Sequence, residues 1–242
     1  MNVTVVIPTY NESGNLARMA ETLLALPVPG LRLLDVDDGS PDGTGRLADE
    51  LAAASPGRIA VLHRHGERGL GRAYLDGFRW ALDNGADSVV QMDADFSHSP
   101  ADVPRLLERL ASCDVAVGSR YTSGGSIDDR WSFGRFALSR SANTYARTLL
   151  GLKTLDATAG FKAWRRSALM AVDLGRIHSN GYLFQVEMTY VCERLGLVIG
   201  EVPIHFAERS SGRSKMSGRV KLEAAVGILD VWRRHRRLRP PA

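Results

Sequence analysis

Acidic side chains follow three predicted strands within the first hundred residues. Glu12 comes after the first apolar run, Asp38 after the second, and Asp93 and Asp95 after the fourth. Ligands of a doubly wound sheet bind outside the carboxyl ends of its strands, so we expect these acids at one site. Neighbouring carboxylates cost free energy unless a cation or hydrogen-bond donors balance their charge. The pattern therefore predicts a site that holds a cation.

The segment Asp93-Ala94-Asp95 supplies the best candidates for metal ligands. Two carboxylates separated by one residue, on a turn after a buried strand, suit Mg²⁺ or Mn²⁺, which take oxygen ligands and are often shared with substrate phosphates. An Asp-x-Asp also occurs often by chance, and residues 37–44 are equally typical of tandem turns with a helix cap at Asp42 or Thr44. The arrangement of both segments at successive strand ends favours the metal site.

Strands and helices alternate over the first 120 residues. Apolar, β-branched runs predict strands over residues 3–7, 33–37, 59–62, 88–92 and 115–117, and periodic segments predict helices over 16–26, 47–54, 70–82 and 103–111. This rhythm predicts an α/β fold, with a Rossmann-like, doubly wound and mostly parallel sheet in a single domain.

The rhythm changes after Arg120. Residues 121–129 are rich in Gly, Ser and Thr and predict a loop; helices are expected near 136–150 and 184–195, and strands near 160–164 and 198–202. A second polar loop covers 209–218, and a last helix runs from about 220 to 237. We expect a catalytic domain over residues 1–218, followed by an amphipathic helix and basic tail over 219–242.

The net charge of +4, from 31 Lys and Arg against 27 Asp and Glu, is unevenly distributed. Residues 233–242 hold five arginines and no acid, which leaves 26 basic and 27 acidic residues elsewhere, a net charge of −1. A nucleic-acid-binding protein is usually basic over a whole face, so composition argues against that class. Two cysteines suggest a reducing compartment without a disulfide framework. No run of about 18 apolar residues predicts a membrane span.

Motifs along residues 3–220 resemble the family 2 inverting glycosyltransferases of the GT-A fold, and within them the polyprenyl (dolichyl) phosphate mannose synthases. The segments that carry the resemblance are VVIPTYNE (5–12), VDDGSPDGT (36–44), RGLGRAYLDGF (68–78), QMDADFSHSP (91–100), VGSRY (117–121), SRSAN (139–143), DATAGFKAW (156–164), GYLFQVEM (181–188) and GEVPIHFAERSSGRSK (200–215). The first two segments and the Asp-x-Asp are typical of the whole family, whereas the last three indicate the polyprenyl phosphate branch.

The resemblance implies roles for individual residues. The implied donor-binding residues are Pro8, Tyr10, Glu12, Val36, Asp38, Asp93, Ala94, Asp95, Arg209 and Lys215. Asp95 would be the direct metal ligand, assisted by Asp93, and some relatives have a further Gln ligand where this chain has Ser97. The residues implied for catalysis and for holding the acceptor phosphate are Asp95, Arg120, Arg135 and Ser139.

The implied reaction transfers mannose from GDP-mannose to a polyprenyl phosphate, with inversion and with Mg²⁺ or Mn²⁺. Two alternatives remain open: the same chemistry with another donor, such as UDP-glucose or a UDP-linked amino sugar, and a nonenzymatic nucleotide-binding membrane adaptor. We expect a peripheral protein on the cytoplasmic face of the membrane, held to anionic lipid by residues 233–239 or by a membrane-anchoring partner protein.

For several other residues, a structural role is a simpler interpretation than a functional one. The GERGLG segment at 66–71 does not follow the first strand and lacks dinucleotide-fingerprint spacing, and the histidines lack zinc spacing. Cys113, Cys192 and Trp164 are predicted to be core residues. Glu187 would ordinarily be a helix-surface acid, although sugar binding is an alternative, and Asp35 is expected on a partly exposed edge strand.

Overall fold

A computed structural model describes residues 1–208 and 218–240, with side chains described over 1–208 and 227–240. Within these ranges the strands are Val3–Thr9 (β1), Leu31–Asp37 (β2), Ile59–His63 (β3), Ser88–Gln91 (β4), Val115–Ser119 (β5), Ser126–Ile127 (β6), Lys162–Arg165 (β7), Ile199–Pro203 (β8) and His205–Phe206 (β9). The α-helices are Ser13–Leu24 (α1), Thr44–Ala54 (α2), Leu70–Asp83 (α3), Val103–Arg109 (α4), Phe133–Leu150 (α5), Arg166–Ala171 (α6), Gly181–Arg194 (α7) and Gly218–His235 (α8).

Seven strands form one sheet in the order β3-β2-β1-β4-β7-β5-β8. Neighbouring strands are parallel except at β7, which lies antiparallel between β4 and β5. The short strands β6 and β9 pair in parallel as a separate ribbon. The predicted mostly parallel sheet is therefore confirmed, and the carboxyl ends of β1, β2 and β4 lie side by side.

Apolar side chains cover both faces of the sheet, as expected for strands connected by crossover helices. Along β1, Val5 and Ile7 belong to one buried cluster with α1 and α4, whereas Val6 belongs to the other with α3 and α7. Trp164 is fully buried and its ring centroid lies 5.9 Å from that of Phe78. The predicted core position of Trp164 is confirmed.

Asp35 does not lie on an exposed edge, so that prediction is wrong. Its strand β2 pairs with β1 on one side and β3 on the other, and Asp35 is 0% exposed. Neither carboxylate oxygen has a hydrogen-bond partner within the part of the chain that the structure describes. Burial raises the pKa of Asp35 to about 7, and the nearby charge of Asp37 acts in the same direction. An acidic residue therefore occupies a fully buried position of the sheet, where an apolar side chain would be expected.

The last helix packs against the body of the protein through an apolar face. Ile228 and Val231 of α8 are buried in a cluster with Val186 and Tyr190 of α7 and with the carboxyl-terminal half of α5. A Cβ added at Gly227 would lie 2.4 Å from Leu183 Cδ2, so a larger residue there would displace the end of the Leu183 side chain. Among the described helices, none is long and apolar enough to cross a membrane.

Candidate active site

The turns after β1 and β2 begin side by side at the carboxyl edge of the sheet. Thr9 and Asp37 are register partners at the ends of the two strands, and the Asp38 backbone N–H donates to the Thr9 carbonyl over 2.9 Å. Pro8 is half-buried within β1, and the Val36 side chain is buried in the core. The predicted donor residues of these two strands therefore lie next to each other in the sheet.

Asp38 is held by groups from the segment that leads into α3. The Arg64 guanidinium pairs with one carboxylate oxygen, and the Gly69 backbone N–H donates to the other over 2.7 Å. Arg68 lies with its guanidinium carbon 4.6 Å from the Tyr10 ring centroid and donates to the Tyr10 hydroxyl over 2.8 Å. Two basic side chains thus position Asp38 and Tyr10.

Glu12 is positioned at the start of α1 by contacts with the Asp42–Thr44 turn. The Glu12 backbone N–H donates to Thr44 Oγ1 over 3.0 Å, and the Asn15 side chain donates to Glu12 Oε2 over 2.8 Å. Asp42 accepts from the Thr44 backbone N–H at the start of α2, over 3.0 Å. Slight burial by itself would raise the pKa of Asp42. Hydrogen bonds from Thr44 and Ser13 outweigh this effect and lower the pKa to about 2. Asp42 is thus a structural anion of this turn.

Asp93 and Asp95 follow β4 on a turn with well-defined hydrogen-bond donors. The buried Tyr74 hydroxyl of α3 donates to Asp93 Oδ1 over 2.9 Å. Ser97 donates to Asp95 Oδ1 from its backbone N–H over 3.0 Å and from its hydroxyl over 2.5 Å. Phe96, between Asp95 and Ser97, has a positive φ of 60°, an uncommon conformation for a bulky residue. The two carboxylates are therefore oriented by their surroundings before any ligand arrives.

The oxygen atoms of Asp93 and Asp95 fit a divalent ion whose remaining ligands come from the substrate and from water. Ser97 points its hydroxyl at Asp95 Oδ1, so it orients the predicted metal ligand. The described side chains, those of residues 1–208 and 227–240, include no group of three or more His, Cys, Asp or Glu that could hold a metal ion. Two carboxylates with the remaining positions filled by phosphate and water are the usual arrangement for Mg²⁺.

His98 lies directly behind this turn rather than on the surface. It is 2% exposed, and its ring centroid is 5.1 Å from that of Phe161 and 5.3 Å from that of Phe206. Burial lowers the pKa of His98, although the charges of Asp93 and Asp95 oppose this effect. The histidine is therefore a neutral packing element that connects the acidic turn to Phe206.

Arg120 is buried beside Phe206 and paired with a carboxylate that the sequence analysis did not identify. Its Nε and Nη2 donate to the two oxygens of Asp156 over 2.8 and 2.7 Å, and the Asp156 side chain is 0% exposed. Burial by itself would raise the pKa of Asp156. The Arg120 guanidinium outweighs this effect, so the pKa is lowered. The guanidinium carbon of Arg120 also lies 5.1 Å from the Tyr121 ring centroid and 5.2 Å from that of Phe206.

Arg135 and Ser139 of α5 approach the same aromatic group. The Tyr121 hydroxyl and Ser139 Oγ are 3.0 Å apart. The Arg135 guanidinium lies 3.8 Å from the Trp131 ring centroid, and Trp131 contacts Phe206 edge-on at 5.6 Å. Arg135 also donates to both oxygens of Glu208 over 2.8 and 2.7 Å. The structure thus places the three predicted acceptor residues around one aromatic cluster, whose members are Tyr121, Trp131 and Phe206.

Two further sequence-based expectations have different outcomes. Arg209 and Lys215, the predicted pair over the donor diphosphate, lie outside the described residues. Glu187 is described and is 0% exposed; its oxygens accept hydrogen bonds from α8 and from the backbone of residues 178 and 179. Neither the surface position nor the sugar contact considered for Glu187 is compatible with this burial.

Comparison with known proteins identifies the family. Residues 4–173 match the model of Glycosyl transferase family 2. A polyprenol monophosphomannose synthase of Mycolicibacterium smegmatis is 48% identical over 93% of this chain and 85% of its own length. An undecaprenyl-phosphate mannosyltransferase of Micrococcus luteus is 48% identical over 94% of this chain and 93% of its own length.

The fold is also shared with solved structures. A glucosyl-3-phosphoglycerate synthase from Mycobacterium tuberculosis, in complex with Mn²⁺, UDP-glucose and phosphoglyceric acid, superposes with a TM-score of 0.69 at 21% identity, covering 95% of this chain and 79% of that one. At this identity the likeness concerns the fold alone, and the predicted GT-A fold is confirmed. Together with the curated relatives and the matched family model, it establishes that the chain belongs to glycosyl transferase family 2.

Proposed function

We propose that the protein transfers mannose from GDP-mannose to a polyprenyl phosphate, giving polyprenyl phosphate β-mannose and GDP, with the help of a divalent metal ion. The observation that carries this proposal is that an acidic turn, with Asp93 and Asp95, and an arginine cluster, Arg120 and Arg135, are connected through Phe206. His98, behind Asp93, packs on Phe206, which also contacts Arg120. A site with carboxylates for a metal–diphosphate on one side and guanidinium groups on the other suits two phosphate-bearing substrates.

The acidic turn would serve the donor. Asp95 and Asp93 would hold Mg²⁺ or Mn²⁺, which would neutralise negative charge on the departing nucleoside diphosphate. The turns after β1 and β2, with Tyr10, Glu12 and Asp38, would bind the nucleoside. Arg209 and Lys215 would close over the diphosphate.

The arginine cluster would serve the acceptor. A phosphate monoester has a second pKa of about 6 and is largely a dianion at neutral pH, so it needs no carboxylate base to become nucleophilic. It needs positioning and relief from repulsion by the donor diphosphate, which Arg120, Arg135 and the Ser139 hydroxyl would supply. One phosphate oxygen would form the bond to the anomeric carbon as the bond to the diphosphate breaks, which inverts an α-linked donor to a β-linked product.

Apolar side chains beside this cluster fit a lipid acceptor. Phe133, two residues before Arg135, is 84% exposed, and Leu138 of the same helix is 42% exposed. Large apolar side chains at this exposure are compatible with contact to an isoprenoid chain or to the membrane that carries it. The relatives named for polyprenyl acceptors support the same class of acceptor.

A donor panel tests the proposal. Purified protein is incubated with a short polyprenyl phosphate and GDP-mannose, UDP-glucose or a UDP-linked amino sugar, with and without Mn²⁺ or Mg²⁺. We expect metal-dependent mannose transfer to a β-linked product, identified by NMR, and its loss in Asp95→Ala. Transfer from a UDP-sugar alone would show that the donor is wrong, an α-linked product would contradict the displacement, and the absence of any transfer would favour a nonenzymatic adaptor.

We further propose that the protein is peripheral on the cytoplasmic face of the membrane, held there by residues 233–239, which include the end of α8, or with the help of an anchoring partner protein. Arg233, Arg236 and Arg237 are exposed, and Trp232 is 39% exposed, with the Arg236 guanidinium 4.7 Å from its ring centroid. Each such basic residue can contribute about 1 kcal/mol at an anionic lipid surface. Flotation with anionic vesicles should weaken for Arg236→Ala combined with Arg237→Ala, and equal flotation of variant and wild type would refute the role of the arginines.

A further inference from the structure

Glu187 connects the carboxyl-terminal helix to a loop of the catalytic domain. The Glu187 Oε1 atom accepts from Arg234 Nη1 over 2.6 Å and lies 2.8 Å from His235 Nε2. The Oε2 atom accepts from the backbone N–H groups of His178 and Ser179, over 3.2 and 2.8 Å. A fully buried charge costs free energy unless it is paired and hydrogen-bonded, and these four contacts supply that compensation for Glu187.

The same loop supports the start of α3. Asn180 Oδ1 accepts from the Gly71 backbone N–H over 2.9 Å and also from the Gly181 backbone N–H at the start of α7. Gly69 has a positive φ of 158°, and a Cβ added there would lie 1.9 Å from Asn180 Nδ2. The Asn180 side chain therefore fills the space beside Gly69, so the position of one segment depends on that of the other.

Gly69 is in turn a direct partner of Asp38. Its backbone N–H donates to Asp38 Oδ2 over 2.7 Å, while Arg64 holds the other oxygen. A continuous series of contacts thus leads from Arg234 and His235 of α8, through Glu187 and residues 178–180, to the carboxylate of the predicted nucleoside pocket. Each step is a hydrogen bond or a close van der Waals contact between packed groups.

We propose that Glu187 is a positioning residue through which the docked α8 helix holds residues 178–180 and the Gly69 amide in place, and thereby sets the affinity for the donor nucleotide. This inference rests on the proposed function, because it assumes that Asp38 binds the nucleoside. Coupling between two sites through such contacts commonly changes affinity fivefold or more. The carboxyl-terminal helix would then support substrate binding as well as membrane attachment.

The experiment measures binding of GDP by titration calorimetry to the full chain and to the variants Glu187→Gln and Asn180→Ala. We expect the Kd for GDP to rise about fivefold or more in each, and the double variant to be weaker by less than the product of the two effects, because both act through one loop. Asn180 is exposed, so its variant keeps the test valid if Glu187→Gln fails to fold.

Asp230→Asn provides the matched control. Asp230 is an exposed partner of Arg234 on the same helix, but it does not contact the loop in the described structure. We expect unchanged GDP affinity in Asp230→Asn. Amide hydrogen exchange at residues 178 and 179 should be faster in Glu187→Gln and unchanged in Asp230→Asn. Wild-type protein that binds GDP with variants that bind equally would overturn the inference and leave the proposed function intact. Wild-type protein that binds neither GDP nor UDP would overturn both.

Discussion

Asp35 is expected to make the protein less stable as the pH rises towards neutrality. Its carboxyl group is 0% exposed within the sheet, and burial raises its pKa from 3.8 to about 7. The neighbouring charge of Asp37 also raises this pKa, whereas His63, which lies 2.9 Å from Asp49, lowers it. The folded state therefore binds the Asp35 proton more tightly than the unfolded state does.

The sign and size of the effect follow from this difference. Well below pH 3.8 the carboxyl group is protonated in both states and costs nothing through ionisation. As the pH rises, the unfolded state ionises first, and the penalty on folding is complete above about pH 7. At about 1.4 kcal/mol per pKa unit the total is about 4 kcal/mol, of which about 2.5 kcal/mol falls between pH 5 and pH 8.

Urea denaturation of wild type, Asp35→Asn and Asp35→Val at pH 5 and pH 8 measures this penalty. We expect both variants to be more stable than wild type at pH 8, and wild type alone to lose about 2.5 kcal/mol more than the variants between the two pH values. Asp83→Asn, which removes an exposed acid at the end of α3, serves as the control and should keep the wild-type pH dependence. Parallel pH dependence in wild type and Asp35→Asn would refute the assignment of a raised pKa to Asp35.

Two further predictions concern hydrogen bonds within the site. Tyr74→Phe removes the donor to Asp93 but keeps the ring that stacks on Phe184 at 5.8 Å, so kcat/KM should fall about tenfold with little change in thermal stability. Unchanged kinetics with an intact fold would show that this hydrogen bond does not orient Asp93. Asp156→Asn leaves the buried Arg120 without its counter-charge and should lower the free energy of unfolding by about 3–5 kcal/mol in urea titrations. A loss below about 1 kcal/mol would mean that Arg120 finds water or another acceptor.

The sequence predicted the parts of this fold that depend on local pattern. Apolar runs and helical spacing located most of the elements, and the rule for strand ends placed Asp38, Asp93 and Asp95 after β2 and β4, at the same edge of the sheet. The orientation of β7 was not predictable, because an antiparallel strand inserted between β4 and β5 has the same local pattern as a parallel one. Asp35 was misplaced for a related reason: whether β2 lies at an edge depends on which strand pairs beside it.

The partners of the basic residues could not be predicted, because they come from distant parts of the chain. Asp156 is 36 residues from Arg120, and Glu208 is 73 residues from Arg135. The motifs indicate which arginines belong near a phosphate, but they do not indicate which acid faces each guanidinium before substrate binds. Pairing with Asp156 fixes the orientation of the Arg120 guanidinium, whereas Arg135 lies at a half-exposed position beside Trp131.

The five arginines at the end of the chain, which composition presents as one basic block, have two different environments. Arg234 points inward to Glu187, and its neighbours Arg233 and Arg236 are exposed. Of these five, only Arg233 and Arg234 lie within α8, and successive residues of a helix point in directions about 100° apart, so the two cannot share one environment. The arginine that faces the body is stable only as a paired charge. Glu187 supplies that pair within α7. The helix can therefore dock firmly on the catalytic domain while it keeps a basic face for the membrane, which is why both proposals for α8 are physically compatible.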